Sequence, residues 1–161
     1  MPLSNRSINS LIVVAVIGLM GYALYSQYVD GLEPCPLCMT QRIFYCLTGA
    51  IALLAALHNP RGWGARVYGV LIALSAAAGA AAAGRQVWLQ HLPPDQVPAC
   101  GPSLEYMLET FPFSHALKML VLGDGNCALV DWVFLGLSMA EWSLLWLLAL
   151  VAAGAVQALR R

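Results

Sequence analysis

The sequence predicts an all-α membrane protein: one domain over residues 1–161, a bundle of four transmembrane helices with short amphipathic helices in its second outer loop. Three observations lead there. Hydrophobic residues make up 60% of the chain and charged ones only 10%, far from the balance of a water-soluble domain. The apolar residues gather into four segments, and about 20 residues at about 1.5 Å each cross a ~30 Å hydrocarbon core. The charges also separate by side. Arg6, Arg61, Arg66, Arg160 and Arg161 fall at the N-terminus, between segments two and three, and at the C-terminus, with no acid among them. Arg42, Arg85, Lys118 and all eight acids fall in the other two connections. The positive-inside rule makes the arginine-rich side cytoplasmic, with both termini there.

The first span covers about residues 8–28. No small-x-small cleavage pattern follows Met20, and Tyr22, Tyr25 and Tyr28 read instead as aromatic residues at an interface, so it is expected to stay as a helix. The second covers 43–58 and is short unless residues 39–42 also lie at the membrane boundary. The turn from Asn59 to Gly64 is brief and contains Pro60, Gly62 and Gly64, which forces an antiparallel pairing with the third span at 66–84. In that span Ser75, Gly79 and Ala83 recur every four residues, a small face that lets helix backbones approach closely in lipid. The fourth span covers 142–159. The outer loops are then 29–42 and 85–141.

The second outer loop is longer than a connection requires. Pro93, Pro94 and Pro98 favour extended chain up to Cys100. Beyond it, Leu104, Met107 and Leu108 share one helical face, and Phe113, Leu117, Leu120 and Val121 recur after Pro112. Short amphipathic helices fit this pattern, lying on the outer membrane surface or packed on top of the bundle.

Four of the five cysteines, Cys35, Cys38, Cys100 and Cys127, fall in the outer loops, which implies an oxidising compartment. Cys35 and Cys38 form a CxxC pair at the start of the second helix. A helix beginning near Leu37 puts Cys38 in its first turn, where the helix dipole favours negative charge, and Arg42 follows one turn later on the same face. Both features favour the thiolate, which is the reactive form. An arginine at the lip of the bilayer either snorkels to the headgroups or donates hydrogen bonds to a polar carbonyl on a lipid-soluble acceptor. Metal binding fits poorly, because Cys100 and Cys127 are 27 positions apart and make no second close pair. Met39 follows Cys38, so the haem-attachment pattern CxxCH is absent. Cys100 and Cys127 sit in Pro- and Gly-rich sequence and are expected to close the long loop as a disulfide. A structural bond and an exchanging one fit equally well. Cys46, about 12 Å deeper than Cys38 on a similar face, reads as a small hydrophobe.

The run Glu33, Pro34, Cys35, Pro36, Leu37, Cys38, with Arg42 four positions on, resembles the disulfide bond formation protein B (DsbB) family of bacterial inner membranes. So does Gly125, Asn126, Cys127, with Trp132, Phe134, Leu135, Gly136, Leu137, Met139 and Trp142 beyond it. The stretch from Gln86 through Trp88, Leu89 and Gln90 to Pro98, Ala99 and Cys100 fits as well. The resemblance implies a thiol oxidoreductase that reoxidises a periplasmic DsbA-type oxidase and passes the electrons to a quinone, ubiquinone or menaquinone. It implies redox-active disulfides Cys35–Cys38 and Cys100–Cys127, a mixed disulfide at Cys100, and Cys38 beside Arg42 as the site that reduces the quinone. The family pattern also points to a polar residue near the outer end of the third helix; Arg85, Gln86 and His91 are the candidates and none is assigned. No metal and no nucleic-acid partner is expected. Two rival readings remain: a thiol relay like quinone or vitamin K epoxide reductases, and a membrane scaffold whose disulfides never cycle.

Overall fold

A computed structural model describes residues 4–101, Tyr106 and residues 113–160, the side chains of Phe113, His115 and Ala116 aside. Its frame is four long apolar helices, each able by length and composition to cross a membrane: α1 (Asn5–Tyr28), α2 (Pro36–His58), α3 (Trp63–Gln90) and α5 (Met139–Leu159). A shorter α4 (Phe113–Leu122) and a two-stranded hairpin, β1 (Val133–Phe134) with β2 (Leu137–Ser138), lie between α3 and α5. The all-α membrane bundle is therefore what the chain forms.

Local sequence sets the helix ends. Ser4 caps α1 by accepting the Ser7 N–H at 3.1 Å. α2 starts at Pro36, one residue before the expected Leu37, and so runs through residues 36–42 ahead of the span read from hydropathy at 43–58. Proline suits a first helical position because its missing N–H would have no partner there. Ahead of it Cys35 is the N-cap, its sulfur accepting the Cys38 N–H at 3.4 Å. Asn59 ends α2 in the left-handed region at φ 44°, the conformation that stops helices. α5 opens with a reciprocal capping box between Ser138 and Glu141.

Packing follows the small residues. Val16 of α1 sits over Gly49 of α2, where a Cβ would lie 2.9 Å from its methyl. Thr48 of α2 and Ser75 of α3 share a buried hydrogen bond of 2.8 Å. Ser75, Gly79 and Ala83 are all buried, but the closest approach lies nearer the other end of α3. A Cβ on Gly69 would fall 2.8 Å from the Gly154 carbonyl, and one on Gly154 would fall 2.8 Å from the Gly69 carbonyl. The main core gathers around Tyr45, Ile72, Ala76, Leu147 and Leu150. α1 thus packs on α2, α2 on α3 and α3 on α5, while α1 and α5 hardly touch.

Of the expected amphipathic helices, the one at Leu104, Met107 and Leu108 lies outside the described residues. α4 corresponds to the second, and its C-terminal turn packs on the bundle. Thr40 Oγ1 donates to the Leu120 carbonyl at 2.7 Å and Arg85 Nε to the Leu122 carbonyl at 3.3 Å. Leu117 and Val121 remain exposed. Gly123 follows at φ +74°, pressed so close to Leu37 that a Cβ would stand 2.7 Å from its methyl. The hairpin turns through Leu135 (φ 52°) and Gly136 (φ 81°), two positive values as in a two-residue turn matched to strand twist.

Candidate active site

The helix start at Pro36 brings both sulfurs of the CxxC motif to one side of the first turn of α2. Cys35 and Cys38 Sγ stand 3.2 Å apart as thiols. A buried glutamine from α3 spans them: Gln86 Nε2 lies 3.3 Å from Cys38 Sγ and 3.5 Å from Cys35 Sγ. Its Oε1 accepts a 2.7 Å hydrogen bond from Gln41 Nε2, also buried. The amide is therefore oriented, with its N–H groups toward sulfur.

The third sulfur comes from the other loop. The turn Gly125–Ala128 carries Cys127 into a small cluster with Leu37 and Leu89, against Cys35. Cys127 is completely buried, whereas Cys100 is exposed on the neighbouring segment. The structure thus brings together Cys35, Cys38 and Cys127 and leaves Cys100 facing outward. The electrostatics of this trio are unequal. The hydrogen bonds that Cys35 shares with Cys127 and with Cys38, together with burial, push its thiol far above the ordinary thiol range. Cys127 is drawn below that range, chiefly by the hydrogen bond from Cys35 and further by the Leu37 N–H, which outweigh its burial. Cys35 holds its proton and Cys127 is the sulfur favoured to carry charge.

On the other side of Cys38 a cavity of about 550 Å³ opens between the outer ends of α1, α2, α3 and α5. Cys35, Cys38, Arg42, Gln86 and Gln90 line it, as do Ser26 of α1 and Tyr45 of α2. Arg42 reaches across to α1, donating to the Gln27 side chain and to the Ala23 carbonyl at 3.0 Å. The α1–α5 gap is bridged by aromatic rings: Tyr22 edge-on to Trp132 at 5.9 Å, Trp132 stacked on Phe134 at 6.0 Å, and Phe134 against Trp142 at 6.2 Å. Trp142 Nε1 ties the string down through the Phe134 carbonyl at 3.0 Å.

Of the three candidates at the end of α3, Gln86 lines the cavity. Arg85 instead stacks over Trp88 and caps α4, and His91 bonds the Val87 carbonyl of its own helix. The cavity has mostly apolar walls, with a guanidinium and amide donors at one end, which suits an apolar molecule that carries a hydrogen-bond acceptor. Ser26 Oγ, beside it, is buried without a hydrogen-bond partner. Sequence reasoning missed Gln41 and Ser26, whose only signal is a polar residue on an otherwise apolar face.

Comparison with known proteins shows the family. A family model for "Disulfide bond formation protein DsbB" matches residues 5–157. A disulfide bond formation protein B of Hahella chejuensis is 55% identical over 159 residues, covering 99% of this chain and 96% of that one. One of Marinobacter nauticus is 49% identical over 159 residues, covering 99% and 95%. A disulfide bond formation protein B 1 of Pseudomonas aeruginosa is 46% identical over 162 residues, covering 100% and 99%. With a match over nearly all of its length, the chain belongs to the disulfide bond formation protein DsbB family.

Proposed function

We propose that the protein reoxidises the dithiol of a soluble, thioredoxin-like DsbA-type oxidase on the periplasmic side of the bacterial inner membrane and delivers the electrons to a membrane quinone. Family membership makes it a membrane disulfide oxidoreductase; the residues that carry the route are our own reading. One observation supports it above the others: sulfur follows sulfur from the exposed Cys100 arm through Cys127 and Cys35 to Cys38, which borders the cavity.

The route starts with disulfides Cys100–Cys127 and Cys35–Cys38. A thiolate of the partner attacks Cys100, the outward sulfur; the Cys100–Cys127 bond breaks and Cys127 leaves with the electron pair. With Cys35 held in its disulfide, the backbone N–H groups of Leu37 and Asp124 are the donors that stabilise that charge and help Cys127 leave. Cys127 then attacks Cys35, its neighbour, and Cys38 leaves as the thiolate. The second thiol of the partner attacks the partner's own sulfur in the mixed disulfide, which frees Cys100 and yields oxidised partner. Cys100 in turn attacks Cys127, restoring their bond and leaving Cys35 and Cys38 reduced. Gln86 supplies N–H donors to that CxxC pair, and Arg42 supplies donors at the cavity wall. A bound quinone, ubiquinone or menaquinone, supplies a two-electron, two-proton acceptor, and Arg42 and the aromatic wall are the residues that would hold it. The loop charges support the periplasmic orientation.

The test is purified protein with reduced partner and a soluble quinone analogue, following quinone absorbance. Stoichiometric quinone loss that disappears in Cys38→Ser is the expected result; undiminished loss in that variant refutes the route. Labelling of Cys100 by an impermeant thiol reagent in intact spheroplasts after reduction checks the orientation, and protection there refutes it.

A further inference from the structure

Opening the Cys100–Cys127 bond removes the covalent tie between two loop segments just when Cys127 has to reach Cys35. The two segments are also docked by contacts other than that bond. Gly125 N–H donates to the Ala99 carbonyl at 3.2 Å, and a Cβ on Gly125 would overlap the Pro98 carbonyl. At the centre of the junction is Asp124, a carboxylate only 1% exposed. Its Oδ2 accepts from the N–H of Gly101, the residue after Cys100, at 3.3 Å and from Asn126 Nδ2 at 3.1 Å. Its Oδ1 accepts from Asn126 N–H at 3.1 Å and faces Cys127 Sγ at 3.7 Å. Asn126 Nδ2 closes the knot on the Gly101 carbonyl at 3.1 Å.

A buried carboxylate is costly to desolvate and persists only where donors surround it. Here those donors come from both segments, one of them adjacent to the cysteine that meets the partner. We propose that Asp124 is a positioning residue: it holds the Cys100 and Cys127 segments together after their disulfide opens, so that Cys127 stays against Cys35 while Cys100 is bonded to the partner. The inference rests on the relay proposed above. Bond changes are unaltered by it. Partner thiolate joins Cys100, Cys127 leaves with the electron pair and joins Cys35, and Cys38 leaves with it in turn.

The experiment uses the full-length protein and a partner whose second cysteine is replaced by serine, so that the mixed disulfide at Cys100 persists. Formation of the Cys35–Cys127 bond is timed by mass spectrometry of non-reduced peptides. Losing hydrogen bonds to a charged group slows that step in Asp124→Ala about tenfold or more, while the mixed disulfide still forms. Asp124→Asn, which keeps an oxygen for Asn126 but turns an amide toward Gly101 or Cys127, falls between. With the intact partner, kcat falls and KM hardly moves. Quinone reduction driven by a small dithiol, which needs only Cys35, Cys38 and the cavity, keeps its wild-type rate. Wild-type timing of the Cys35–Cys127 bond in Asp124→Ala overturns the proposal. So does parallel loss of dithiol-driven turnover, which would make Asp124 a folding residue. Absence of dithiol-driven turnover in the unmutated protein would strike the relay itself instead.

Discussion

Gln86 makes the sharpest single test of the site, because its one amide serves two purposes. Replacing it with leucine keeps the bulk and removes both. Gln41 Nε2, buried and bonded to Gln86 Oε1 at 2.7 Å, then loses its acceptor, a penalty of about 1–3 kcal/mol in stability. The second loss is catalytic. Gln86 Nε2 lies 3.3 Å from Cys38 Sγ, and a hydrogen bond to a charged group contributes about 1.5–3 kcal/mol. At about 1.36 kcal/mol per tenfold, turnover should fall roughly ten- to a hundredfold. Quinone absorbance with a small dithiol as donor reads this without involving Cys100. Gln86→Glu separates the effects: it again offers Gln41 an acceptor and regains thermal stability, while its negative charge beside the sulfurs keeps turnover low. Wild-type turnover in Gln86→Leu would refute the assignment of a donor role.

Arg42→Ala should raise KM for a quinone analogue about tenfold, as expected for one lost charge-assisted hydrogen bond; an unchanged KM would remove Arg42 from the binding site. Gly154→Leu forces side-chain atoms into the Gly69 backbone and should cost at least about 1–3 kcal/mol, seen as a lower midpoint of thermal inactivation in detergent. Gly18→Leu, where a Cβ meets nothing within 4 Å, is the control and should leave the midpoint in place. In a variant retaining only Cys35 and Cys127, thiolate absorbance should persist as pH falls below the ordinary thiol range, because the charged form of Cys127 is stabilised and is lost only at its lowered pKa. Removing Cys35 as well takes away the main donor, so the midpoint should move up; a midpoint that stays or falls contradicts the cause given.

The bundle was legible because its signals are local: four apolar runs, a short inner turn, and charges sorted by side. The start of α2 was partly legible too. Pro36 marks a first helical position, yet Gln41 and Arg42 are polar, and hydropathy alone pushes the boundary toward Ile43. What stayed hidden depends on contacts distant in sequence. Gln86 meets Cys38 across 48 positions, and no local pattern distinguishes it from Arg85 beside it. The pairing of Cys127 with Cys35 depends on a turn capped by Asp124 and on Gly123 fitting against Leu37. The hairpin was missed because leucine at Leu135 gives no hint of a positive φ, leaving Gly136 as its only marker.

The gap between α1 and α5, bridged by rings at its outer end, has a consequence for how supply of the proposed oxidant should be reckoned. On the proposed route a long-tailed acceptor would enter sideways from the acyl chains, with no aqueous leg to its journey. Its effective dose is then the number of molecules per lipid. Thinning a liposome suspension with buffer leaves that ratio untouched, whereas enlarging the bilayer with extra lipid starves the enzyme.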